Sequence, residues 1–309
     1  MTLEDTGETQ GGDWPSSVAL SAGIPARDPF PILNLILFLA TVVTTLAAGA
    51  TVSWNGNPLA GIERLYREPG AAIEGVPYAA ALLAILGAHE MGHYLASRWH
   101  GVRVTLPYFL PAPHYFGTFG AFIRMKSPLP DRKTLFDIAV AGPLAGFAVA
   151  VPVTLWGLSL SKFLSSSTEA ELGLGPSLLF IGLAKLTLGF FPSNAGIELH
   201  PLATAGWLGF FVTALNLLPI GQLDGGHLVY SFFQRRYRVV SWLTLCALIP
   251  MGFFFWPGWF FWVILVALVG LRHPTPLDSW TPLGNGRKLL GGFTFLILIL
   301  TFTPVPFLF

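Results

Sequence analysis

Runs of about twenty apolar residues recur along most of the chain, and that is the length an α-helix needs to cross a bilayer. Backbone inside lipid must satisfy its own hydrogen bonds, so runs of this kind fold as helices. The first extends over Pro31–Ser53, the second over Val76–Ser97 and the third over Phe136–Leu160. A fourth starts near Ala203 and reaches Leu218, is interrupted by PIGQLDGG, and resumes as His227–Phe233. The fifth is Val239–Trp256, the sixth Gly258–Leu271 and the seventh Leu289–Phe307, with Pro257-Gly258 folding the fifth and sixth into a tight hairpin. Composition agrees: charged residues make up 11% of the chain, where a soluble domain carries about a quarter. The sequence predicts an all-α polytopic membrane protein with about seven transmembrane helices.

Charge placement sets the orientation. The run Pro176–Pro192, with Lys185 at its middle, reads either as a further span or as a helix lying along the interface. If it does not cross, one side of the membrane holds thirteen basic residues: Arg27, Arg98, Arg103, Arg124, Lys126, Arg132, Lys133, Arg235, Arg236, Arg238, Arg272, Arg287 and Lys288. The other side holds four: Arg64, Arg67, Lys162 and Lys185. Basic loops stay in the cytoplasm, so this count favours seven spans and a cytoplasmic N-terminus. Residues 1–29 are polar and read as a disordered cytoplasmic tail, followed by a single integral membrane domain over 30–309. Glu4, Asp5, Glu8 and Asp13 make the tail unlike a signal or transit peptide, which points to a prokaryotic cell membrane. A net charge of +1 offers no grip on nucleic acid. The lone Cys246 excludes an internal disulfide.

Between the second and third spans, Val102, Val104 and Leu106 alternate, and GTFGAFIRM follows with Gly117 and Gly120. This pattern predicts one or two short strands tucked against the membrane face. Non-helical backbone at that depth has to pack on protein or line a wet cavity.

The second span ends in GAHEMGHYLASRWHG. His89, Glu90 and His93 form H-E-x-x-H, which on a helix puts both imidazoles on one face, within reach of one metal ion. Glu90, beside the first imidazole, is placed to take a proton from a metal-activated water. Three ionisable residues in an apolar span cost several kcal/mol or so, which a bound divalent cation offsets directly. The blander reading is a polar cluster bonding neighbouring helices. A catalytic zinc needs a third protein ligand, and the carboxylate available in a later apolar segment is Asp224, in NLLPIGQLDGGH. Pro219, Gly221, Gly225 and Gly226 free the backbone there, letting an aspartate turn inward. His89, His93 and Asp224 meet only if the second and fourth spans run in the same direction, which again requires that Pro176–Pro192 does not cross.

HEMGH in one span and NLLPIGQLDGGH in a later one together resemble the site-2 protease family of intramembrane zinc metalloproteases. LPDRKTLFDIAVAGPLAG over 129–146 and HPLATAGWLGFFVTALNLLP over 200–219 look like the same family, in the style of its archaeal, bacterial and chloroplast members. The likeness covers most of 76–234, the expected catalytic core. It implies one zinc ion per chain held by His89, His93 and Asp224, with Glu90 as catalytic base. Asn216 falls where the family keeps an asparagine near the substrate and oxyanion. It also implies hydrolysis, within or near the bilayer, of membrane-protein substrates whose transmembrane segment has locally unwound. The loops leave no room for a PDZ domain and no sensory domain follows the last span, so a compact form is expected. Substrate gating would then fall to the spans, to Gly117–Met125 or to another protein.

A divalent-metal transporter built on the same His and Asp side chains is the main alternative, and an inactive membrane scaffold is another. Inverted repeats would favour the transporter and none is visible; transport also leaves Glu90 without a role. His227, three residues after Asp224, reads as a neighbour of the site rather than a ligand. His100, His114, His200 and His273 read as interfacial. Asp137 reads as a first-turn charge favoured by the helix dipole. Gly142 and Gly146 form a small-xxx-small pair that permits close helix packing, and Trp99, Trp207, Trp242 and Trp280 fit interfacial anchors.

Overall fold

The computed structural model describes residues 31–52, 58–164, 173–189, 196–269 and 276–308. The expected tail 1–29, Arg272 and His273 lie outside them. Helix α1 (Ile32–Val52) is followed by the short α2 (Pro58–Arg67) and by α3 (Ala72–Trp99). Strands β1 (Tyr108–Pro111) and β2 (Thr118–Phe122) form an antiparallel hairpin, extended by a bridge between Val104 and Met125. Helix α4 (Arg132–Ser159) begins at Asp131, whose carboxylate accepts the Thr134 amide at 2.7 Å as an N-cap. Then come β3 (Lys162–Leu164), β4 (Gly173–Leu174), α5 (Leu178–Leu188), β5 (Gly196–Glu198) and α6 (Pro201–Leu217). The chain continues through α7 (Asp224–Phe233), α8 (Tyr237–Phe254), α9 (Gly258–Val269), α10 (Asn285–Thr301) and β6 (Phe307–Leu308). β3 pairs with β5 and β4 with β6.

Among the described residues, four stretches are long and apolar enough to cross a membrane: Ile32–Thr51, Pro69–Trp99, Arg132–Ser159 and Asp224–Phe254. Leu178–Leu188, Pro201–Leu217 and Gly258–Leu268 are shorter apolar helices. At 11 residues, α5 is about 17 Å long, too short to cross the hydrocarbon by itself. The outer faces carry large apolar side chains in the open, such as Val43, Phe254, Leu268 and Leu289, as lipid contact requires and water would not tolerate in such number. The segment 227–233 joins α8 through one tight turn over Gln234–Arg236 rather than continuing α6. The reason is local: Leu218 precedes proline and turns extended (φ −55°, ψ 131°).

The bundle is centred on α3, α4 and α6, which pack against one another, with α7 on α4, α8 on α9, and α10 against α6, α4 and α5. Lipid supplies no hydrophobic drive between helices, so close packing must hold them. Glycines supply it. A Cβ on Gly157 of α4 would sit 2.1 Å from the Ala203 nitrogen of α6, and one on Gly206 of α6 would sit 2.1 Å from the Thr154 hydroxyl of α4. Gly75 of α3 meets α1 the same way, 2.1 Å from the Leu46 carbonyl oxygen.

The hairpin is tied to the bundle from two helices. Asn34 of α1 donates to the Leu106 and Pro107 carbonyls, both at 2.9 Å, and Thr44 donates to the Gly117 carbonyl at 2.6 Å. The Tyr78 hydroxyl of α3 donates to the Phe116 carbonyl at 3.2 Å. Gly117 has φ +75°, and a Cβ there would strike the Thr44 carbonyl, so the turn needs glycine on both counts.

These contacts predict the effect of a single methyl group. Gly157→Ala, which must force α4 and α6 apart, is expected to destabilise the bundle by about 1–3 kcal/mol. Gly182→Ala in α5, where the Cβ meets open space, is expected to be neutral or slightly stabilising. Thermal unfolding of the two variants in detergent checks the pair, and equal shifts would refute the packing argument.

Candidate metal centre

His89, Glu90 and His93 lie in the C-terminal half of α3 and are 4%, 5% and 7% exposed. Such burial of three polar side chains in an apolar bundle demands partners. The helix brings the two imidazoles one turn apart on one face, their rings 4.9 Å between centroids. Helix α4 passes close beneath. A Cβ on Gly92 of α3 would meet the Ala141 carbonyl oxygen at 2.4 Å, and one on Gly142 of α4 would meet His93 Nε2 at 2.1 Å. Gly146 lies under His89 in the same way, at 3.1 Å. The small-xxx-small pair thus makes room for the two imidazoles as well as for helix packing.

Asp224 arrives from a break in the chain. Helix α6 ends at Leu217, Pro219 cannot extend it, and Gly221 turns back with φ +56°. A Cβ on Gly225 would lie 1.9 Å from the Leu217 carbonyl oxygen, so the start of α7 folds directly onto the end of α6. The Tyr237 hydroxyl donates to the Gly221 carbonyl at 2.6 Å and Ser241 Oγ to that of Pro219 at 3.3 Å. Asp224, first residue of α7, is thereby aimed at α3, at a helix N-terminus where a carboxylate is favoured.

The donor atoms form a small triangle. Asp224 Oδ2 is 3.2 Å from His89 Nε2 and 3.3 Å from His93 Nε2, and the two Nε2 atoms are 3.2 Å apart. Tetrahedral zinc with bonds of about 2.0–2.1 Å spaces its ligand atoms about 3.3–3.4 Å apart, so the triangle fits one face of that polyhedron. The lone pairs fit as well. His93 Nδ1 lies 2.8 Å from the Ile138 carbonyl oxygen, which only accepts, so Nδ1 carries the proton and Nε2 is left as a donor to metal. Asn216 Nδ2, in the last turn of α6, lies 3.3 Å from His89 Nε2. Three electron-rich atoms meeting in a buried site call for a cation, and the residues present suit one zinc ion.

Glu90 points into the same cavity, of about 200 Å³, which Ile123 just beyond β2 also lines. Ala121 and Phe122 of β2, Asn216, Gln222 and His227 line the cavity too. The structure therefore brings His89, Glu90, His93, Asn216 and Asp224 to one place. His227 lines the cavity beside this set and is not part of the donor triangle. His114 and His200 act within their own turns: Nδ1 accepts the Phe116 and Leu202 amides at 3.1 and 3.2 Å, and partial burial lowers both imidazole pKa values.

One cluster escaped the sequence reading. The Asp137 carboxylate receives two 2.7 Å hydrogen bonds from Arg287 of α10, and His100 Nε2 lies 3.0 Å away at the end of α3. Asp137 is therefore an ion-pair partner, and because α4 starts at Arg132 it sits in the second turn and is not the first-turn dipole charge expected. Nothing local signals a contact between residues 150 positions apart.

Residues 77–256 match the family described as Peptidase family M50. The chain is 33% identical over 296 residues to the Probable zinc metalloprotease EGY1, chloroplastic, of Arabidopsis thaliana, covering 89% of this chain and 53% of that protein. It is 31% identical over 240 residues to the Probable zinc metalloprotease EGY2, chloroplastic, of the same plant, with coverage of 76% and 43%. It is 30% identical over 298 residues to the Probable zinc metalloprotease EGY3, chloroplastic, of Oryza sativa subsp. indica, with coverage of 86% and 49%. The chain thus spans about half the length of the curated relatives it matches.

The position of Gly142 gives a sharp expectation. Gly142→Ala places a methyl group where the His93 ring lies and should weaken divalent-metal affinity about 10- to 100-fold, the range seen when the support of a ligand is disturbed. Metal competition titration of the purified variant checks this, and an affinity equal to wild type would refute the stated role of the glycine.

Proposed function

The chain belongs to peptidase family M50, and from that premise we propose that it is an intramembrane zinc metalloprotease that hydrolyses peptide bonds of transmembrane protein substrates within or near the bilayer. The observation that carries the proposal is the buried triangle of His89, His93 and Asp224 with Glu90 beside it in one cavity. In this reading the three side chains hold one zinc ion per chain, which supplies Lewis acidity and lowers the pKa of a coordinated water toward about 7. Glu90 accepts the proton of the attacking water on its carboxylate and returns it to the leaving amine. Asn216, whose carboxamide faces the cavity beside His89, donates to the oxygen on which charge develops. His93 is kept in its ligating tautomer by the Ile138 carbonyl.

A substrate helix hides its carbonyls in its own hydrogen bonds and must unwind before it can be cut. Among the described residues the sheet containing β2 has two strands, so the second edge of β2 carries no strand, and β2 residues line the cavity. An unwound segment adding to that edge would receive backbone hydrogen bonds while reaching the metal centre. Seven spans and a cytoplasmic N-terminus remain our proposed topology, supported by the basic-residue count. The apolar helices support a membrane location, and the prokaryotic cell membrane is our proposal for which one; the relatives above are named as chloroplastic. The transporter reading gains no support from the relatives.

Cleavage of a single-span model substrate in detergent tests the proposal, with wild type and Glu90→Gln compared at matched zinc content. Wild type should cut and lose activity on chelation, and the variant should hold one zinc and cut at least about 100-fold more slowly. Equal cutting by both would remove Glu90 as the base. Absence of cleavage by wild type, with metal crossing liposomes that contain the protein, would replace the protease by the transporter.

A further inference from the structure

We infer that the Gln222 carboxamide hydrogen-bonds the backbone of the bound substrate strand along the edge that β2 does not reach, a role that rests on the protease reading above. An unwound segment presents N–H and C=O groups on both of its edges. β2 can satisfy only one. The other edge enters a cleft walled by Leu135, Ile138 and Leu223, where an amide left unpaired is costly. A side chain with both a donor and an acceptor is needed on a wall other than β2.

The lining offers few such groups. His89, His93 and Asp224 converge on the metal position, and Glu90 and Asn216 have work at the reacting bond. Gln222 remains. Its side chain is exposed at the cavity and forms no hydrogen bond among the described residues. The turn that carries it is the opposite of loose. The Ile220 amide donates to Leu218 at 2.7 Å, the Leu223 amide to Ile220 at 3.2 Å, and Tyr237 holds the Gly221 carbonyl at 2.6 Å. Ile220 is fully buried. A rigid turn that presents one unpaired carboxamide into the cavity is prepared for a ligand at little cost in ordering. A carboxamide aimed at backbone groups reads no side chain, so the contact is tolerant of substrate sequence.

The test uses the full chain, zinc-loaded in detergent, with the single-span substrate. Gln222→Met keeps length and removes both hydrogen-bonding groups; Gln222→Asn keeps the groups on a shorter stem. The Met variant should raise KM about 10- to 100-fold with kcat within about threefold, as loss of a binding contact made equally in ground and transition states requires. The Asn variant should recover part of the loss. Zinc content and unfolding temperature should match wild type in both. Unchanged KM in the Met variant overturns the inference, as does a Met variant that loses zinc or unfolds early, since Gln222 would then support the turn and not the substrate. A wild type that cuts nothing sinks the protease reading itself, a result distinguishable from either of these.

Discussion

The contact on which the rest of this structure depends is the one between the His93 imidazole and the backbone of α4. His93 Nε2 would lie only 2.1 Å from a Cβ on Gly142, and Nδ1 is 2.8 Å from the Ile138 carbonyl oxygen. A helix normally keeps its neighbour at the distance of two side chains. Here one helix supplies a whole imidazole and the other supplies none, so the ring is gripped by main chain on one side and left with a free lone pair on the other. The same main-chain contact settles where the helices cross, since Gly92 closes against Ala141 a short way along. Packing, tautomer and metal-donor direction are therefore fixed by one set of atoms.

The second element of the site is a break, placed where a continuous helix would have failed. A helix through residues 217–224 would carry Asp224 well past the level of Asn216, at 1.5 Å per residue. Folding α7 back on α6 through Pro219, Gly221, Gly225 and Gly226 returns Asp224 to within 3.3 Å of both imidazoles, while Asn216 reaches 3.3 Å from His89. The freed backbone groups are answered by Tyr237 and Ser241 of α8, which is how irregular chain survives inside an apolar bundle.

Much of this was legible because the informative residues are expensive ones. His89, Glu90 and His93 stand out in an apolar run, and Asp224 stands out in the next broken one, so cost together with the H-E-x-x-H spacing and the need for a third ligand marked the candidate donor set. The strand pattern over 102–125 was legible from alternation and glycine, although its anchoring was not: Asn34, Thr44 and Tyr78 are ordinary polar residues in apolar helices until the hairpin is seen to rest on them. The clamp of Arg287 on Asp137 was invisible for the same reason that any long-range ion pair is, since neither residue carries a local mark of its partner. Residues 227–233 do not resume α6 as expected, because the proline-containing turn ahead of Asp224 breaks the helix completely, while their separation from α8 at Gln234–Arg236 falls where the polar residues lie.

The hairpin links these elements to the proposed handling of substrate. Its turn is held by α1 and α3, and Phe116 in that turn packs at a tilt against Phe307, within an aromatic group that includes Trp207, Phe211 and Trp256. Its β2 strand lines the cavity, as does Ile123 just beyond it, together with Glu90. A strand whose turn and far end are both tied to rigid helices can offer an open edge without sliding in register, and register matters because a slip of one residue exchanges the two faces of a paired strand. The fold thus fixes the edge that would receive a substrate against the same helix that carries the metal donors, so that pairing on β2 and reach to the metal position are set by one rigid body.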